Sequence, residues 1–173
     1  MIGKIANIFK VKDLRKKIFF TVSLLFVFRF GGQIQIPGVN LESTKNALQN
    51  AGTDEAGFAG ILALYDQFVG GFLQGASIFS LGIMPYISAS IIIQLMTAIV
   101  PYFQRLKKEG AEGNKKIIQL TRYGTVLIAM VQAIGVATLW QEGVSVMSSG
   151  LFFVVAIITL VTGTVFVMWL GEQ

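Results

Sequence analysis

The sequence predicts an all-α integral membrane protein of four transmembrane helices plus one short partial helix. Three observations carry that reading. Of the 173 residues, 54% are apolar and only 13% charged, against about 25% charged in an average soluble domain. Mean hydropathy is +0.69. The charges fall in blocks separated by long apolar runs, and one of those runs is too long for a single crossing.

Each block sets one side of the membrane. Residues 1–17 carry Lys4, Lys10, Lys12, Arg15, Lys16 and Lys17 against Asp13, whereas 38–66 carry Lys45 against Glu42, Asp54, Glu55 and Asp66. Residues 105–122 carry Arg105, Lys107, Lys108, Lys115, Lys116 and Arg122 against Glu109 and Glu112. Lys and Arg collect on the cytoplasmic side. The order is therefore a basic cytoplasmic segment (1–17), a first span (18–39), an outer loop (40–75) and a second span (76–103). A basic cytoplasmic loop (104–116), a third span (117–140), an outer loop (141–150) and a fourth span (151–173) complete it. Trp140, Trp169, Tyr102 and Tyr123 fall near span ends, where amphipathic rings favour the headgroup level.

The N-terminus admits two readings. Ile2, Ile5, Phe9 and Leu14 recur at helical spacing among lysines, which suits an amphipathic helix on the inner leaflet; a frayed polar tail fits equally. A cleaved signal peptide is disfavoured, because Arg29 interrupts the apolar run and no small-x-small cleavage site follows.

Between Asp66 and Arg105 lie 38 uncharged residues. As one helix they would extend about 57 Å, nearly twice a hydrocarbon core. Acidic and basic flanks require an odd number of crossings. One full span (77–100) plus a partial helix (58–72) satisfies both, with the break at Gly70, Gly71 and Gly75. Pro85 is expected to kink the span. Broken backbone at membrane depth persists only inside protein or beside a watery cavity, so a cavity is expected. The alternative is an amphipathic surface helix over 57–75, outside the membrane.

Reactive constellations are sparse. The chain has no His and no Cys, which removes zinc sites, imidazole bases and thiol nucleophiles. Phosphate-loop and dinucleotide fingerprints are missing. No enzyme activity and no cofactor are expected. The pI near 9.6 does not indicate nucleic acid, since the basic residues are split by long uncharged runs. Gln132 and Ser88 suit hydrogen bonds between helices. Arg29 either snorkels or meets a buried partner such as Asp66.

ASIFSLGIMPYISASIIIQL (76–95) closely resembles the second transmembrane segment of the SecY family, the central subunit of the protein-conducting channel. FRFGGQIQIPGV (28–39), KKEGAEGNKKIIQLTRYGTVLIAMVQ (107–132) and VTGTVFVMWLGEQ (161–173) are similar to the family's end of span one, first cytoplasmic loop with span three, and end of span four. The resemblance implies the N-terminal part of a ten-helix SecY-type fold. That fold passes unfolded secretory polypeptides across the bacterial cytoplasmic membrane and releases apolar segments into lipid.

It also implies residue roles. Ile83 and Ile87 fall on the family's pore ring, one helical turn apart, where branched side chains make a weakly wetted gasket. Tyr65, Phe68, Gly70 and Gly71 occupy its plug and hinge, and Ser88, Ile91 and Gln132 its lateral gate. Arg105, Lys107, Lys108, Lys115 and Lys116 occupy the loop facing the motor ATPase SecA and the ribosome, although topology-setting charge alone accounts for that loop. SecE-like and SecG-like small membrane subunits, signal peptides, the translocating polypeptide and the lipid bilayer are the other implied partners.

Two departures stand out. Gln35 replaces a proline usual in the family, and the sequence stops at Gln173 after four spans. The expectation is a truncated chain unable to enclose a pore alone. The alternative is a small four-span protein acting as a dimeric transporter or assembly scaffold.

Overall fold

The computed structural model describes residues 12–42, 44–45, 58–141 and 148–173. The proposed N-terminal surface helix, apart from its end, lies outside the described residues. Described elements are α1 (Lys12–Gly31), α2 (Phe58–Val69), α3 (Met84–Ile99), α4 (Pro101–Lys108), α5 (Ala111–Trp140) and α6 (Ser149–Glu172). The all-α expectation holds among the described residues, where the regular elements are all helices; an isolated antiparallel bridge joins Gln35 and Ser77.

α5 is the central helix, packed against α3 on one side and α6 on the other. It buries Thr121, Thr125, Ala129, Ala133 and Ala137 at every fourth position, a ladder of small residues that lets neighbouring backbones approach closely. The threonine hydroxyls do not disrupt that seam. Thr121 and Thr125 donate to the carbonyls of Ile117 (2.9 Å) and Thr121 (2.8 Å) within the helix. Phe152, Ala156 and Leu160 of α6 cluster with Ala133 and Ala137 of α5, and α6 also buries Gly163 and Thr164. Trp140 at the end of α5 clusters with Phe152 at the start of α6, while Arg122 near the start of α5 meets Glu172 at the end of α6. The two helices are therefore antiparallel. Their outward residues, including Leu127, Val131, Val154 and Ile158, are exposed and apolar, as a lipid-facing surface requires.

By length and composition, α5 and α6 can each cross a membrane, and α3 with α4 makes a third candidate if that bent pair is one span. α1 does not meet the same test. Its first turns carry Asp13, Arg15, Lys16 and Lys17, and the remaining helix to Gly31 is only about 21 Å long. Residues 32–39 of the expected first span are non-helical.

Other boundaries also differ from expectation. The partial helix ends at Val69 rather than at 72. The second span begins as helix at Met84, not at 77, and Pro85 sits in its first turn. There its missing N–H costs nothing, so it starts the helix instead of kinking it. The kink comes from Pro101: Val100, forced to extended geometry (φ −92°, ψ 122°), separates α3 from α4 at 95°. The basic loop is itself helical, as α4 and the first turns of α5. Trp140, the last residue of α5, is buried in the core.

The segment between α2 and α3 is irregular, yet its backbone is bonded. Ile36 N–H donates to Ala76 O (2.9 Å) and Ile78 N–H to Ile34 O (3.1 Å), joining it to the chain leaving α1. Ser80 Oγ donates to Phe72 O (2.8 Å) and Ser77 O (2.5 Å), and Ser77 Oγ accepts Phe79 N–H (3.2 Å). Gly70 (φ +86°) and Gly71 (φ +80°) make the reversal after α2 in a backbone region open to glycine. Phe79 stacks between Phe28 of α1 (5.5 Å) and Phe166 of α6 (5.9 Å).

Candidate functional site

A cavity of about 1030 Å³ lies between α1, the end of α2, the start of α3 and the end of α6. Phe20, Leu24 and Phe28 line it from α1, Phe68 and Val69 from α2, and Val167 and Leu170 from α6. Ile83 and Ile87 complete the wall. They are 41% and 42% exposed, and Ile87 N–H donates to Ile83 O (3.1 Å), so one helical turn separates them. Both isoleucines line this cavity.

Its lining is mostly apolar. Among the described residues, Lys17 is the single charged lining residue, with Thr21 and Gln173 as the polar ones. Branched and aromatic walls give water few hydrogen-bonding partners.

α2 hangs over this cavity by polar tethers. Tyr65 Oη donates to Leu81 O (3.1 Å). Asp66 Oδ1 accepts the N–H groups of Leu73 (2.8 Å) and Gln74 (3.3 Å). Arg29 does not pair with Asp66. It donates to Gly70 O (3.4 Å) and lies 5.5 Å from the Phe72 ring centroid, a cation–π arrangement. Phe68 is 80% exposed on the cavity side, and Gly70 and Gly71 follow as the reversal.

Ser88 and Ile91 lie on α3 and Gln132 on α5, with the two helices packed together. Ser88 and Gln132 are half-buried and Ile91 is exposed. Gln132 Oε1 is buried with no hydrogen-bond partner among the described residues. Arg105, Lys107 and Lys108 project from the last turn of α4 and Lys115 and Lys116 from the start of α5, all exposed. Lys116 meets Glu109 at 3.8 Å; among the described residues the other four form no ion pair.

Sequence reasoning missed Ser77 and Ser80 as the internal bonding groups of the irregular segment. The S-x-x-S spacing ahead of Gly82 and Pro85 is the turn-like signal that could have found them. It also missed the Arg122–Glu172 pair, with contacts of 3.2 and 2.5 Å, which no local pattern announces.

The sequence model of the SecY family matches residues 77–173. A protein translocase subunit SecY of Pseudomonas aeruginosa is 48% identical over 165 residues, covering 94% of this chain and 36% of that protein. Its counterpart from Escherichia coli K12 is 45% identical over 167 residues, covering 93% and 36%. That of Corynebacterium glutamicum is 42% identical over 177 residues, covering 97% and 40%. The chain spans well under half the length of these relatives.

Proposed function

Because this chain belongs to the SecY family, we propose that it supplies part of the central subunit of a protein-conducting channel. In this reading it crosses the bacterial inner membrane four times with its N-terminus cytoplasmic. Unfolded secretory polypeptide passes the cavity, and apolar segments leave sideways into lipid. Ile83 and Ile87 are the share of the pore ring held by this chain, and α2 is its plug, turning on Gly70 and Gly71. Ser88, Ile91 and Gln132 belong to the lateral gate, where the unpartnered Gln132 Oε1 awaits a hydrogen bond. The basic end of α4 and start of α5 face the motor ATPase and the ribosome, and SecE-like and SecG-like subunits complete the assembly.

The observation that carries the reading is the shared cavity wall. Two branched side chains one turn apart stand with Phe68 of α2 around one apolar space. A hydrophobic waist holds back ions without binding any one substrate sequence.

The test uses single cysteines, introduced into a sequence that has none of its own and into a channel otherwise freed of cysteine. In the complete channel, Ile83→Cys and Ile87→Cys are expected to crosslink to a stalled secretory chain. Val131→Cys and Val154→Cys, on exposed helix faces, are expected to react with lipid probes instead. Lipid-probe labelling alone at residues 83 and 87 would overturn the pore role.

A further inference from the structure

The described side chains of α2 are those from Leu64 onward, and of these Tyr65, Asp66 and Val69 turn inward. Leu64 and Phe68 on it are exposed. Its end is held both by Val69, buried with Phe72, Phe79 and Val167, and by polar bonds, most of which converge on one residue. Asp66 is 4% exposed and has no cationic partner among the described residues. Its carboxylate instead reaches across the Gly70–Gly71 reversal to Leu73 N–H (2.8 Å) and Gln74 N–H (3.3 Å). Its own backbone carbonyl accepts Gly71 N–H at 2.8 Å. Leu73 and Gln74 have no other acceptor for these amides among the described residues.

We infer that Asp66 is a positioning residue, a carboxylate latch that clasps the end of α2 to the irregular segment leading into α3. Ionised acceptors make stronger hydrogen bonds than neutral ones, and this one spans a hinge built from two glycines. The other polar tethers are weaker: a neutral Tyr65 bond and a long Arg29 contact at 3.4 Å. Opening the latch frees α2 to swing on Gly70 and Gly71 while the Ser77–Ser80 bonds keep the start of α3 in place. The consequence for channel closure rests on the plug reading; the latch itself is a statement about bonds.

The experiment is amide hydrogen exchange on the full channel subunit in lipid, with ion leak measured in the same proteoliposomes. Asp66→Ala is expected to raise exchange at Leu73 roughly tenfold to a hundredfold, the loss of a hydrogen bond to a charged acceptor. Asp66→Asn keeps an acceptor oxygen and is expected to give a much smaller rise. Unchanged exchange in Asp66→Ala overturns the latch. If that variant fails to fold, the wild-type protein decides: a protected Leu73 amide supports the latch, and one exchanging like an open amide overturns it. Faster exchange with no added leak keeps the latch and removes the plug role, so the two failures are distinguishable.

Discussion

Substituting alanine at Gly163 sets two energies of known size against each other. A methyl in mid-helix raises helix propensity by up to about 1 kcal/mol over glycine. At Gly163, however, a Cβ would fall well inside contact distance of the Ile78 carbonyl carbon and oxygen, with Phe79 Cδ1 at 3.3 Å. Those backbone atoms cannot step aside like the tip of a flexible side chain. Ile78 is bonded through its N–H to Ile34 O, and Phe79 is stacked on both sides. Overpacking of this kind costs about 1–3 kcal/mol. Gly163→Ala should therefore destabilise the fold by about 1–2 kcal/mol, whereas Gly135→Ala, with no neighbour within 4 Å of the added Cβ, should be neutral or stabilising by up to about 1 kcal/mol. The assay is SDS-induced unfolding in mixed micelles followed by far-ultraviolet circular dichroism. A Gly163→Ala protein as stable as Gly135→Ala would refute the claim that the irregular segment is wedged against α6.

Two other substitutions test the packing of α5. The Arg122–Glu172 pair is half-exposed on the arginine side, so a double-mutant cycle to alanine should give a coupling of about 1 kcal/mol that shrinks as salt rises; a coupling near zero would show that the pair is incidental. Trp140 is fully buried, but its indole N–H has no partner among the described residues. Trp140→Phe should then cost little, under about 1.5 kcal/mol, and Trp140→Ala about 3–5 kcal/mol; equal losses, read by the same unfolding titration, would mean that the N–H and not the ring holds the site.

What could be read from the residues follows from the kind of signal each feature leaves. α5 and α6 announce themselves because uninterrupted apolar runs are what a lipid-facing helix requires. Gly70 and Gly71 mark a break because few other residues occupy their backbone region. The start of α3 was misplaced by seven residues because Ser77 and Ser80 look like ordinary span residues until their hydroxyls are seen serving the backbone. Pro85 held the answer, since proline is as suited to a first turn as it is hostile to a helix interior. Of the two readings of Arg29, the one that pairs it with Asp66 fails for a general reason. Charge suggests charge, yet a buried carboxylate is equally served by backbone amides, and sequence does not say which amides a turn will present. A positional rule for aromatic belts places Trp140 near a span end and says nothing of the core packing that buries its ring. Ile83 and Ile87 were singled out by resemblance alone; nothing in an isoleucine says whether it meets lipid, core or a cavity.

The bonds between the chain leaving α1 and the irregular segment also set an order of events. Ile36 and Ala76, joined at 2.9 Å, leave the ribosome about 2–8 s apart at ordinary synthesis rates. Gly163, against which Ile78 lies, emerges about 4–17 s after Ile78 on the same scale. During the first interval the amide of Ile36 has no Ala76 to bond. During the second, the knitted turn has no α6 to lean on. The walls of the cavity are thus drawn from segments synthesised seconds apart, and the turn gains its support only once α6 has emerged.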